Sequence, residues 1–286
     1  MLESLSFGGW ARVCAAAMTM ILAGIATLDT SAHANAIMEE RKLPMRFTWH
    51  DRNDNDPLAK TICGQQCKGW VAAVGVVTGD TEKAFEEFSR DRNLSGATIV
   101  LDSSGGSVLD AIELGRRWRK LGVHTAVGLT FDIHSQQGER SGILAEAYCE
   151  SMCAFLMLAG DKRIVPDGAH VRVHQIWLGD RVDNAKASNY SAQDLMIVQR
   201  DVGRLTKFAF EMGGTGELLD IALSVPPWEP LRELSHRELR RTNVINTEVL
   251  VAEEASSDPA DFTATITVPR RTAEATPTGG LAADRK

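Results

Sequence analysis

The sequence predicts an α/β fold with a mainly parallel sheet. Three observations carry that expectation. From about residue 70 onward, short β-rich apolar runs alternate with amphipathic helical stretches, the order expected of strands joined by crossover helices. Several runs, such as "WVAAVGVV" and "ATIVL", are apolar without interruption, as buried strands are. No internal repeat is present, so a solenoid is not indicated.

Taken in order, "WVAAVGVV" reads as the first strand and "DTEKAFEEFSRD" as a helix capped by Asp80 or Thr81. "GATIVLDSS" is a second buried strand. "SVLDAIELGRRWRKLG" follows as an amphipathic helix with apolar residues at 108, 109, 112 and 114. "VHTAVG" is a third strand. The polar stretch 129–147, with Asp132, His134, Glu139 and Arg140, interrupts the pattern and is expected to be a loop over the site. "MCAFLMLAG" reads as a buried helix, and "KRIVPDGAHVRVHQI" as two short strands. A long helix spans 191–213, ending at Gly213, and "ELLDIAL" and "LSHRELRRTN" close the ordered region as helical segments.

The ends differ in character. Residues 1–36 read as an export signal: Arg12, the apolar run "CAAAMTMILAGIATL", then small-x-small cleavage sites after Ala34 or Ala36. The rival is an uncleaved membrane anchor. Export places the expected product in the periplasm or outside the cell. The segment 37–62, with "HDRNDNDP", is polar and expected to be loosely ordered. Residues 63–251 hold the domain, and 252–286, rich in Ala, Thr, Pro and Asp, read as a disordered tail. A net charge of −7 over 286 residues, with no long basic run, argues against a nucleic-acid partner.

Export also changes the meaning of cysteine. Removing the signal leaves Cys63, Cys67, Cys149 and Cys153, two pairs at i, i+4 spacing in an oxidising compartment. The expected pairing is Cys63–Cys67 and Cys149–Cys153. Four thiolates on one zinc ion is the rival, but the spacing is looser than usual zinc sites and no His-x-His cluster lies near, so no metal is expected. A bridge between Cys149 and Cys153 requires Cys149 to leave helical geometry, which sets Ser151 at a bent start to the helix.

Three features follow strands, where α/β folds place ligands. "LDSSGGSV" holds Gly105 and Gly106 between a strand and a helix. Ser151 precedes an apolar helix. His174 follows the alternating "VRV". Each alone is ordinary: a turn, a helix cap and a structural histidine. Together they are the parts needed for acyl transfer.

In this order and spacing the chain resembles the proteolytic subunit of the Clp protease and the wider Clp protease/crotonase superfamily. "LDSSGGSV" resembles that family's "NSPGG" loop, and "ESMCAFLMLAGDKRIVPDGAHVRVHQ" its "ASMGAFLLTAG…R…P…MIHQP". "LSHREL" followed by "VIN" resembles its "LSA-E…GLVD". The likeness runs from about residue 71 to 246 and is nearest to the exported, periplasmic branch. It implies a stack of ββα units, with Ser151 as nucleophile and His174 as general base. It also implies an oxyanion hole from the N–H groups of Gly105 and Met152, helped by the positive end of the helix beginning near Met152. Such proteins commonly form rings or trimers, so a homo-oligomer is implied as well.

The chain departs from the family at three positions. Glu150 replaces a small residue before the serine, where it would crowd the pocket or hold His174 protonated. Cys153 replaces a glycine. No aspartate stands at the third catalytic place, so a Ser–His pair is expected, with the Ser224 hydroxyl or a backbone carbonyl orienting His174. The leading expectation is a periplasmic, ATP-independent serine hydrolase, a peptidase acting on extended or unfolded peptides without a cofactor. The alternative is a catalytically inactive module of the same fold that binds or assembles.

Overall fold

The computed structural model describes residues 40–64, 67–135, 138–178, 186, 190–247 and 265–267. The expected export signal and both cleavage sites lie outside them. No helix among the described residues is long and apolar enough to cross a membrane.

The architecture is α/β. Five strands form the main sheet: β1 (Arg46–Asp51), β2 (Gly69–Val74), β3 (Thr98–Asp102), β4 (His124–Val127) and β8 (Arg163–Ile164), in the order β1-β2-β3-β4-β8. All neighbours run parallel except β1, which lies antiparallel on β2. The continuous apolar runs read from the sequence become β2 and β3, whose residues are nearly all buried. Helices α2 (Thr81–Ser89) and α3 (Val108–Leu121) make the crossovers. Ser107 caps α3 by accepting from Asp110 N–H, and Gly122 ends it in the left-handed conformation. Burial of Ile112, Leu114 and Trp118 shows which face of α3 meets the core.

A second sheet leads into Ser151 and His174. It is ordered β10-β9-β7, from β7 (Tyr148–Glu150), β9 (His170–Val173) and β10 (Arg232–Glu233). It continues the chain path of β3: Ser103 bridges Cys149 in parallel, with Ser103 N–H donating to Tyr148 O and Glu150 N–H to Ser103 O. After β7 comes α4 (Met152–Leu156), then a short 3-10 turn, Met157–Ala159. Every residue of both is buried, as an all-apolar helix must be. The long helix α5 (Ala192–Glu211) starts at a capping box of Ser191 and Asp194 and buries Leu205, Phe208 and Ala209. Helices α6 (Gly216–Leu223) and α7 (His236–Arg241) complete the unit.

Three expectations need correction. Residues 37–62 are not loosely ordered where they are described: β1 adds a strand to the main sheet, and α1 (Pro57–Cys63) is capped by Asp56 and carries Pro57 at its start. The compact unit therefore begins at Arg41 rather than residue 63. The stretch 129–147 is not a loop but the hairpin β5 (Leu129–Ser135) and β6 (Gly138–Leu144). And the tail is not wholly without order, because β11 (Thr265–Thr267) pairs antiparallel with β5. The rest of 252–286 lies outside the described residues.

The hairpin is held to the core by polar bonds, which is why its polarity misreads as a loop. Asp56 Oδ2 accepts Ile143 N–H, and Asn53 Nδ2 donates to Ser141 O. Ser141 Oγ donates to Asp132 Oδ1 at 2.7 Å and takes a bond from His50 Nδ1 at 2.8 Å. Each satisfies a group that would otherwise be costly to cover.

Candidate active site

The parallel register brings the three predicted motifs to one place. Ser103 neighbours Cys149, and Cys149 neighbours Val171. The chain reaches Gly105 two residues past the first of these, Ser151 two past the second and His174 three past the third. Adjacent strands lie about 4.8 Å apart, so the glycine loop, the serine and the histidine leave the same edge side by side.

Ser151 sits between β7 and α4 with φ 55° and ψ −121°. Such a backbone is costly for a residue with a Cβ and marks strained positions that serve sites. Its hydroxyl makes no capping bond to the helix it precedes, so the ordinary reading as a cap does not apply. Ser151 N–H donates to Arg172 O at 2.8 Å, which ties the bend to β9. The Cys149–Cys153 disulfide closes over it, with Cα atoms 5.1 Å apart and both residues fully buried. Cys149 is indeed non-helical, in β7. Cys63 and Cys67 form the second disulfide, Cα–Cα 5.3 Å. Among the described residues no cluster of His, Cys, Asp and Glu could hold a metal.

The glycine loop meets Ser151 closely. A Cβ on Gly105 would fall 2.6 Å from Glu150 O, 2.8 Å from Met152 N and 2.8 Å from Ser151 Cβ. Only glycine, here at φ 87°, allows that approach. The expected oxyanion hole is only half offered, however. Gly105 N–H donates to Ser103 Oγ at 3.1 Å, and that hydroxyl donates in turn to Gly75 O at 2.6 Å. A serine two residues upstream bonds the turn's own backbone, a common local competitor. Met152 N–H, in the first turn of α4, has no acceptor within its helix. With five residues, α4 adds little macrodipole.

His174 is half-buried, and Trp177 lies beside its ring at 4.6 Å. Its Nδ1 donates to Gln175 O at 2.8 Å. Since a carbonyl only accepts, the proton of the neutral ring is on Nδ1 and the lone pair on Nε2. Burial lowers its pKa below the usual histidine value, against smaller raising effects from the Gln175 bond and the Glu150 charge. The orienter is thus a backbone carbonyl. Ser224 does not serve: its hydroxyl donates to Ile221 O at 2.7 Å, closing its own helix end. No carboxylate is hydrogen-bonded to Nδ1 among the described residues. Nor does a hydrogen bond join His174 to Ser151 there. The two side chains are neighbours by register, not bonded partners.

The Glu150 carboxylate is turned to two arginines and makes no hydrogen bond to His174. Its Oε1 lies 3.4 Å from Arg172 Nη1 and its Oε2 3.9 Å from Arg41 Nη1. Both guanidinium groups lie over the Tyr148 ring, at 4.4 Å for Arg41 and 4.7 Å for Arg172. Sequence reasoning missed Arg41, Tyr148 and Arg172. An arginine at 41 and one at 172 give no signal that they converge on one carboxylate.

A second serine, histidine and aspartate also meet, at Ser141, His50 and Asp132, but they are no triad. Ser141 Oγ lies between Asp132 and His50 Nδ1, and that same nitrogen is 3.4 Å from Asp132, so the ring spans nothing. His50 Nε2 meets Thr48 Oγ1 instead. The side chain of His134, also on the hairpin, lies outside the described residues.

Burial lowers the pKa of His50, His124 and His174 alike. A histidine lowered in the folded state is disfavoured in its charged form there. Its stabilising contribution is complete above the unfolded value near 6.5 and is lost as pH falls from there through the folded pKa. The melting temperature is therefore expected to fall as pH drops below about 6.5; a melting temperature that rises over that range would contradict the burial of these rings.

No family model matches the chain, and no curated protein matches it.

Proposed function

We propose that the protein is an exported serine hydrolase with the stacked ββα architecture of the Clp protease/crotonase superfamily, acting on extended or unfolded peptides without ATP. The observation that carries this reading is Ser151: a strained, positive-φ serine whose hydroxyl caps nothing, in contact with a glycine loop and one strand from a histidine whose Nε2 lone pair is free to accept a proton. In the proposed reaction Ser151 Oγ attacks the substrate carbonyl and passes its proton to Nε2 of His174. The developing oxyanion takes the Met152 N–H and displaces Ser103 Oγ from the Gly105 N–H. The imidazolium returns the proton to the leaving amine, and water then releases the acyl group from Ser151. Peptide as the substrate, and the periplasm as the compartment, are carried by the family resemblance and the N-terminal signal.

A second reading has its own support. The engaged Gly105 N–H and the lack of a Ser151–His174 bond are what an inactive binding or assembly module would show. Apo enzymes often hold catalytic pairs unbonded until substrate arrives, so activity decides. Incubation of the mature protein with unfolded, fluorescently labelled casein is expected to release peptides, and Ser151→Ala to release none. Equal release by both, or none by either, favours the module.

A further inference from the structure

We propose that Arg172 and Arg41 clamp the Glu150 carboxylate away from His174, so that the imidazole stays neutral and Nε2 remains a base. The inference rests on the reading of His174 as that base and extends it to how its charge state is set. Glu150 precedes the nucleophile directly, and an unopposed carboxylate there would stabilise an imidazolium and disable the base at neutral pH.

The geometry answers the problem. Each oxygen of Glu150 faces a different arginine, Oε1 toward Arg172 and Oε2 toward Arg41. Neither arginine is loosely placed. Arg41 is buried, its Nε 3.9 Å from Asp102 Oδ1, a carboxylate that also accepts Tyr148 N–H. Arg172 reaches Glu233 Oε2 through Nε at 3.2 Å, and Glu233 holds His170 Nδ1 at 2.7 Å. Tyr148 completes the frame, with the two guanidinium groups and the His170 ring all against its ring. The chain Asp102, Arg41, Glu150, Arg172, Glu233 alternates in sign, so each charge has an opposite neighbour.

Among the described residues, the charged groups around His174 are these. Glu150 on β7 acts on it directly. Arg172 lies on β9, which His174 follows, Arg41 and Asp102 lie beyond Glu150, and His170 and Glu233 lie beyond Arg172. Arg172 and Arg41 are positioning residues: they act through Glu150 and touch no substrate.

The test is the pH midpoint of His174, followed by NMR in the full mature protein, with the rate of Ser151 modification by a fluorophosphonate measured against pH. Arg172→Met is expected to raise the midpoint by about 0.5 or more, and the labelling profile to move upward with it. Arg172→Lys, which keeps the charge, should stay near wild type, and Glu150→Gln combined with Arg172→Met should return the midpoint to wild type or below. Should Arg172→Met fail to fold, Arg41→Met is read the same way. An unmoved midpoint in the folded arginine variant overturns the clamp. The outcomes separate the two claims: a midpoint that moves in a protein never labelled at Ser151 keeps the clamp and sinks the hydrolase. Labelling with an unmoved midpoint does the reverse.

Discussion

His174→Ala is expected to slow covalent modification of Ser151 by about 10²–10⁴-fold, the span that a positioned general base contributes. The ring is oriented by the Gln175 carbonyl rather than by a carboxylate. A neutral acceptor fixes the tautomer but does little to stabilise the imidazolium, so the wild-type rate itself should be modest beside that of a full triad. Two controls sharpen the result. Ser224→Ala should leave the rate within a few fold of wild type, since that hydroxyl serves its own helix. The loss in His174→Ala should persist across the pH range, because no side chain hydrogen-bonds the Ser151 hydroxyl in its place among the described residues. A His174→Ala protein that labels as fast as wild type would remove His174 from the reaction.

Gly105→Ala is expected to lower the same rate by about 100-fold or more, the cost of misplacing reacting groups by about 1 Å. The added methyl would meet Glu150 O, Met152 N and Ser151 Cβ, all at 2.8 Å or less. Two of these are backbone atoms, held by β7 and α4, so the glycine loop must move away from the serine. The φ of 87° adds a conformational penalty of about 1–2 kcal/mol for any residue with a Cβ. Chemical denaturation should therefore show a loss of at least about 2 kcal/mol beside the loss of reactivity. Unchanged stability and labelling would mean that the loop does not meet Ser151 as described.

Much of this fold could be read from residue order because its central elements are locally consistent. Apolar runs at 70–77 and 96–101 have one plausible state, and the helix after Ser107 carries cap, apolar stripe and terminal glycine together. The meeting of Gly105, Ser151 and His174 was legible for the same reason: each follows a strand, and parallel pairing brings them to one edge. What was not legible depended on partners far along the chain. Strand β1 offers only Phe47 and Trp49 on an otherwise polar segment, and it exists because β2 presents an edge to pair with. The hairpin β5–β6 puts Asp132 and Ser141 inward, which makes sense only once His50 is beside them. Glu150 read as an obstacle because Arg41, 109 positions upstream, and Arg172 could not be seen to hold it. Ser224 was the wrong orienter because a hydroxyl at a helix end finds its own carbonyl first.

The most direct measurement is mass spectrometry of the mature, oxidised protein after exposure to a fluorophosphonate probe. One adduct on the peptide carrying Ser151 is expected, absent in Ser151→Ala, with a labelling midpoint below the usual histidine value, because burial lowers the His174 pKa. A folded wild-type protein that takes up no probe, or that carries the adduct elsewhere while Ser151→Ala labels equally, would contradict Ser151 as a nucleophile.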